Sequence, residues 1–147
     1  MNLLLKRATL KDFEEVKKIE KSAASQTYAA YIEEKDLRKF IKNEFVFLIK
    51  NGKNTVGGIA YHLRKNGCAR MTNLALLPEY RGKGFGTQAI VLLFKKVNKF
   101  KKIDLTVHPH NSRAIALYLS LGFVITSWEN NYCGDGEPRL ILERKIK

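Results

Sequence analysis

Arg81-Gly82-Lys83-Gly84-Phe85-Gly86 lies between two readable runs. Before it, Leu74-Ala75-Leu76-Leu77-Pro78 reads as a buried strand. After it, Thr87-Gln88-Ala89-Ile90-Val91-Leu92-Leu93-Phe94 reads as a helix, with Phe85, Ala89, Leu93 and Val97 at helical spacing. A glycine-rich turn that opens a helix aims free backbone N–H groups, and the positive end of the helix dipole, at one point. Glycines let an anion approach the main chain closely, so the segment predicts a phosphate site.

Spacing separates the possible phosphate sites. A nucleotide P-loop needs G-x-x-x-x-G-K-[ST], and the chain contains no Gly-Lys-Ser or Gly-Lys-Thr. A dinucleotide fingerprint needs G-x-G-x-x-G, whereas Gly82, Gly84 and Gly86 make G-x-G-x-G. The pattern that fits is R-x-x-G-x-G, on Arg81, Gly84 and Gly86. Further on, Asn111, Ala114, Tyr118, Gly122 and Phe123 make N-x-x-A-x-x-x-Y-x-x-x-G-F. Asn111 is a natural N-cap and Gly122 a natural stop for the helix between them. Asn111 and Tyr118 are two helical turns apart and share one side of it.

With both motifs in order, the chain resembles the GNAT (Gcn5-related) N-acetyltransferases, from roughly residue 56 to 146. The resemblance implies an acetyl-CoA-dependent enzyme that moves an acetyl group directly to a primary amine. By resemblance, Arg81, Gly82, Lys83, Gly84, Phe85, Gly86 and Thr87 form the pyrophosphate loop. Leu74, Ala75 and Leu76 contact the pantetheine and acetyl groups, with the Leu76 N–H polarising the thioester. Asn111 contacts the pantetheine arm, and the Tyr118 hydroxyl protonates the departing thiolate. In ribosomal-protein alanine acetyltransferases a glutamate stands on the strand before the Asn motif. Here Thr106 holds that slot, cannot act as a base at neutral pH, and counts against protein N-terminal acetylation. Glu33, Glu34, Asp135, Glu137 and Glu79 are the carboxylates in loops near the acceptor, and the residues alone do not choose among them or a water chain. Tyr28 and Tyr31, with Tyr132, are expected to wall the acceptor pocket; the acceptor amine itself stays open.

Length and composition agree with one domain over residues 1–147. Hydrophobic residues make up 45% and charged residues 28%, ordinary for a soluble globular chain. Only Leu3-Leu4-Leu5 precede the next charges, too few for a signal-peptide core or a span, so a cytoplasmic protein without membrane insertion is expected. Cys68 and Cys133 form no metal spacing, the three histidines form no cluster, and no metal is expected. The net charge of +13 is densest over Lys95-Lys96-Val97-Asn98-Lys99-Phe100-Lys101-Lys102. That run complements a helix C-terminus and raises the field felt by a phosphate-bearing ligand. Two other classes stay open: a noncatalytic acyl-CoA sensor and a basic nucleic-acid-binding domain. No helix-turn-helix, zinc-finger or RNP-type segment accompanies the charge, so no specific nucleic acid is expected. A monomer and a homodimer are both compatible.

Element by element, strands are predicted over 3–8, 44–50, 55–64, 69–77, 103–108, 123–128 and 139–145. Helices are predicted over 11–20, with Thr9 as N-cap and Leu10, Phe13, Val16 and Ile19 on one face, then over 33–43, after the glycine turn, and over 111–121. Asn51-Gly52 and Asn66-Gly67 mark hairpins. The order β-α-α-β-β-β-α-β-α-β-β is an α/β (α+β) chain with a mixed, mostly antiparallel sheet of about seven strands and four helices. It is also the GNAT topology.

Overall fold

The structure, a computed structural model, describes residues 2–24, 30, 31 and 33–146. Among them run β1 (Leu3–Arg7), α1 (Phe13–Ala23), α2 (Glu34–Asn43), β2 (Phe45–Asn51), β3 (Asn54–Arg64), β4 (Cys68–Leu76), α3 (Phe85–Lys96), β5 (Lys102–Val107), α4 (Ser112–Ser120), β6 (Val124–Glu129) and β7 (Arg139–Lys145). The strands form one sheet in the order β1-β2-β3-β4-β5-β7-β6, in which only β4 and β5 run parallel. This is the expected mixed α/β architecture, with seven strands and four α-helices among the described residues.

Each face of the sheet buries one helix pair. Phe85, Ala89, Leu93 and Val97, the period read from the sequence, pack with Phe47, Ile59, Ile103, Leu105 and Leu142. The opposite face takes Phe13, Val16 and Ile19 of α1 and Leu37, Phe40 and Ile41 of α2. Leu10 departs from the expected face and is 38% exposed. Thr9 and Asp12 close a capping box around a 3₁₀ turn, Leu10–Asp12, and the α-helix starts only at Phe13. Leu10 therefore precedes the α-helix, and the buried α-helical stripe begins at Phe13.

The hairpins use positive φ where the sequence placed glycine. Asn51 pairs with Asn54, so Gly52 (φ 62°) and Lys53 form a two-residue loop. Lys65, Asn66 (φ 64°) and Gly67 (φ 71°) link Arg64 to its partner Cys68. In both, a left-handed residue gives the turn a twist that suits its strands.

The feature that positions the site is a fork between β4 and β5. Met71 pairs with Tyr61 and Asn73 with Ala60, leaving Thr72 as an extra residue, a bulge in β4. The parallel register Cys68↔Lys102, Ala69↔Ile103, Arg70↔Asp104, Met71↔Leu105 ends at that bulge. Past it, β4 keeps its β3 partner while its other edge faces a gap. Just before the fork, buried Arg70 grips buried Asp104 with two bonds, Nε to Oδ1 at 2.9 Å and Nη2 to Oδ2 at 3.1 Å. Arg64 adds a third to Oδ2 at 2.7 Å. Burial pushes the Asp104 pKa up, but the hydrogen bonds and charge of Arg70, with Arg64, outweigh it and hold the carboxyl below its usual value.

Asp104→Asn strands the buried Arg70 charge and should cost about 3–5 kcal/mol in denaturant unfolding. The folded pKa is depressed, so the wild-type clamp contributes fully above the unfolded value of about 3.9 and weakens as pH falls below it. The difference in unfolding midpoint between wild type and variant should therefore shrink in acid.

Candidate active site

A cavity of about 460 Å³ fills the fork and runs between the two helices that follow it. Leu74 and Leu76 line it from β4, Thr106 and Val107 from β5, Gly82, Gly84, Gly86 and Thr87 from the glycine turn, and Asn111 and Tyr118 from α4 and its cap.

Strand alternation decides which β4 groups face the gap. The Leu77 N–H donates to the Val56 carbonyl of β3 at 2.9 Å. One residue back, the Leu76 N–H points the other way, as does that of Leu74, while Ala75 turns toward β3. Ala75 is also 5% exposed in the opposite core, so neither its side chain nor its main chain faces the cavity. The exposed edge at Leu74 and Leu76 can pair with an amide-bearing chain as an added strand would.

The glycine turn is shaped for an anion. Gly82 (φ 73°) and Gly84 (φ 84°) are left-handed, and Gly84 caps α3. A Cβ at Gly84 would meet nothing within 4 Å, so the space over the turn is open. The first turn of α3 carries no acidic residue to compete for its N–H groups. Phe85 is 4% exposed and packs edge-on against Tyr80, so its side chain anchors the turn rather than facing a ligand. Lys83 is exposed and outside the cavity lining. Arg81 lines the cavity but spends its guanidinium on main chain, with Nε to the Leu76 carbonyl at 3.0 Å and Nη2 to the Ser22 carbonyl at 3.2 Å. It ties the turn to β4 and the end of α1. Arg113 lines the cavity as well, with Nη2 3.8 Å from where a Gly82 Cβ would stand. Its place in the first turn of the Asn111-capped helix was the available signal.

Asn111 accepts the Ala114 N–H at 3.3 Å, the cap expected of it, so its side chain is held at the cavity wall. Tyr118 is buried edge-on against Phe123 at 5.8 Å. Burial pushes its pKa well above the ordinary tyrosine value, and it stays protonated across the physiological range. Among the described residues its hydroxyl has no hydrogen-bond partner.

The far end of the cavity is built by residues the motifs do not contain. His108, 2% exposed, lines it beside Cys133 and Arg139. Thr72 and Asn73 line it from the bulge, Thr72 bonded to Glu44 and Asn73 donating to Glu20 at 2.7 Å. Tyr132 receives a hydrogen bond from Arg70, which ties the β6–β7 loop to the base of the fork. Tyr31 lies outside the cavity lining, stacked on Phe40 at 4.6 Å, and burial followed by the charges of Glu44 and Glu20 pushes its hydroxyl up to about 12. Tyr28 lies outside the described residues. None of the described groups of His, Cys, Asp and Glu could hold a metal ion, and no described helix is long and apolar enough to cross a membrane.

An anion-shaped turn, an unpaired strand edge and a protonated tyrosine meet around one fork, an arrangement that can hold a phosphate-bearing ligand with amides along its length. Comparison with known proteins agrees: the acetyltransferase (GNAT) family model matches residues 10–123, so the chain belongs to the GNAT acetyltransferase family. It is an acetyl-CoA-dependent N-acetyltransferase. Over 94% of its length it is 27% identical to an N-alpha-acetyltransferase of Sulfurisphaera tokodaii, covering 90% of that protein. Its fold superposes on the ribosomal-protein-S18-alanine N-acetyltransferase of Escherichia coli with a TM-score of 0.83 at 22% identity, covering 99% of this chain and 95% of that one. A PaiA N-acetyltransferase of Thermoplasma acidophilum, solved with coenzyme A, matches with a TM-score of 0.74 at 20% identity over 99% of each chain.

A valine at Gly84 must adopt a left-handed backbone and project its branch over the turn. Gly84→Val should cost about 1–2 kcal/mol of stability. It should also abolish the stabilisation that acetyl-CoA gives the wild type, about 2.7 kcal/mol by ligand linkage at a hundredfold excess over Kd, read as a rise in melting temperature.

Proposed function

We propose that this protein acetylates the α-amine of peptide or protein N-termini in the cytoplasm, with Tyr118 as the acid that protonates the leaving thiolate. The observation that carries the reading is the single cavity in which the glycine turn, the unpaired N–H groups of Leu74 and Leu76, and Tyr118 meet. The α-amine is supported by the names of relatives that share nearly the whole chain and by acid–base chemistry. An N-terminal amine has a pKa of about 7.7–8.0 against about 10.4 for lysine, so it needs a weaker base. Thr106 supplies no base on β5, so this acceptor takes its base from another element.

In this reading the glycine turn and Arg113 hold the pyrophosphate. Asn111 and the β4 edge align the pantetheine arm, and the Leu76 N–H polarises the thioester carbonyl. Every group named comes from one chain, so a monomer suffices. Tyr118 is a weaker acid than a thiol of pKa about 8.5, by at least about 2 kcal/mol before burial is counted. Its proton therefore moves to sulfur as the surplus proton of the new amide nitrogen replaces it. The same coupling keeps the buried phenol neutral at the end of the cycle.

Peptides differing in their first residue, assayed by release of coenzyme A thiol, should include substrates, and the same peptides with blocked N-termini should not. A lysine side chain acetylated in preference to every free N-terminus would overturn the acceptor assignment. Tyr118→Phe keeps the ring and removes the proton, so kcat should fall about 10²-fold with acetyl-CoA binding retained. Tyr118→Ala should in addition lose about 3–5 kcal/mol of stability.

A further inference from the structure

We infer that Glu137, held by His108, takes the proton from the acceptor amine, directly or through one water. The assignment rests on the acyl-transfer reading above but not on the choice of amine. It fills the place that Thr106 leaves vacant on β5.

The geometry is that of a prepared carboxylate rather than a solvated one. Glu137 Oε1 lies 3.1 Å from His108 Nε2. The other ring nitrogen, Nδ1, accepts the His110 backbone N–H at 3.0 Å, so its lone pair is engaged. The ring proton therefore resides on Nε2 and is donated to Glu137. His108 is 2% exposed and lines the cavity next to Thr106, while the Glu137 side chain is 32% exposed and can pass a proton to solvent. The backbone beneath Glu137 is braced as well. Asp135 Oδ1 accepts the Glu137 N–H at 3.0 Å, its Oδ2 pairs with buried Arg139 at 2.9 Å, and Asn131 Oδ1 accepts the Gly136 N–H at 2.6 Å. Glu137 is held in one place against His108, which lines the cavity, and a fixed carboxylate there is what proton abstraction through water requires.

Three of the other carboxylates are committed elsewhere. Glu44 is shared between Thr72 and His62, Asp135 is taken by Arg139 and the Glu137 N–H, and Glu34 pairs with Arg38.

The step balances without a further reactant. The ammonium gives one proton to Glu137, and the freed nitrogen lone pair forms the N–C bond to the acetyl carbon as the C–S bond breaks. Sulfur takes the Tyr118 proton, the Tyr118 oxygen recovers one from the new amide nitrogen, and Glu137 releases its proton to water. His108 exchanges no proton in this sequence, which makes it a positioning residue.

The test compares two acceptors, a peptide with a free α-amine and the same peptide capped by an aminooxyacetyl group, whose nitrogen is already unprotonated at neutral pH. Glu137→Gln should lower kcat on the free-amine peptide about 10²–10³-fold. It should barely slow the aminooxy peptide, and acetyl-CoA binding should persist. His108→Leu should show the same selective loss, and His108→Gln, which keeps an N–H donor at similar reach, should recover part of it. Equal losses on both acceptors, or none on either, overturn the assignment. If wild type acetylates no peptide, the α-amine reading fails, and n-butylamine and O-methylhydroxylamine replace the two peptides in the same comparison.

Discussion

Everything functional in this fold depends on β4 and β5 being held together at one end and apart at the other. The Arg70–Asp104 pair sits one register position before the last, Met71↔Leu105, and the Thr72 bulge prevents β4 from continuing beside β5. A clamp without the bulge would give a continuous sheet with its main-chain groups spent in pairing. A bulge without the clamp would let the strands part all the way down, exposing the core of Ile103 and Leu105. Together they leave a short stretch of unpaired backbone, normally a liability at a sheet edge, in a place a ligand can cover.

Charge is distributed unevenly around the fork. At the glycine turn the polar partners are main-chain N–H groups, Arg81 and Arg113, with no carboxylate in the first turn of α3. At the other end lie Glu20, Glu44, Asp135 and Glu137, each bonded to a neighbour. In a chain of net charge +13 this segregation opposes the global excess. Some of the remaining charge lies over aromatic rings, as with Lys96 over the Phe47 ring at 4.9 Å and Arg144 over Phe94 at 4.3 Å.

The β6–β7 loop is joined to this arrangement at several points. Arg70 reaches Tyr132 from the fork, His108 reaches Glu137 from the end of β5, and Arg139 at the start of β7 holds Asp135. Two of these anchors begin on buried side chains next to the strands that diverge, so the loop takes its position from the fork. The two ends of the cavity are then two consequences of one strand geometry.

What was legible in the chain by itself was whatever depends on neighbours in sequence. The helical period of Phe85, Ala89, Leu93 and Val97, the Asn111 cap, the glycine turns and the order of strands all follow from local sterics and hydrogen bonding, and the structure contains each. Leu10 was misplaced because a capping box favoured one tight turn over the helix, a competition that periodicity does not register. At the site, the motifs pointed to the glycine turn, Asn111 and Tyr118, which lie within two short segments. They could not say that Ala75 faces away, since that depends on which edge of β4 is paired to β3, nor that Arg81 would turn to the Leu76 and Ser22 carbonyls. His108 and Glu137 are 29 residues apart and meet at 3.1 Å only because β7 runs antiparallel to β5 and returns the loop to its end. Local chemistry writes the donor half of this site into contiguous residues, while the acceptor half is assembled by strand pairing between distant ones, and only the folded sheet brings them together.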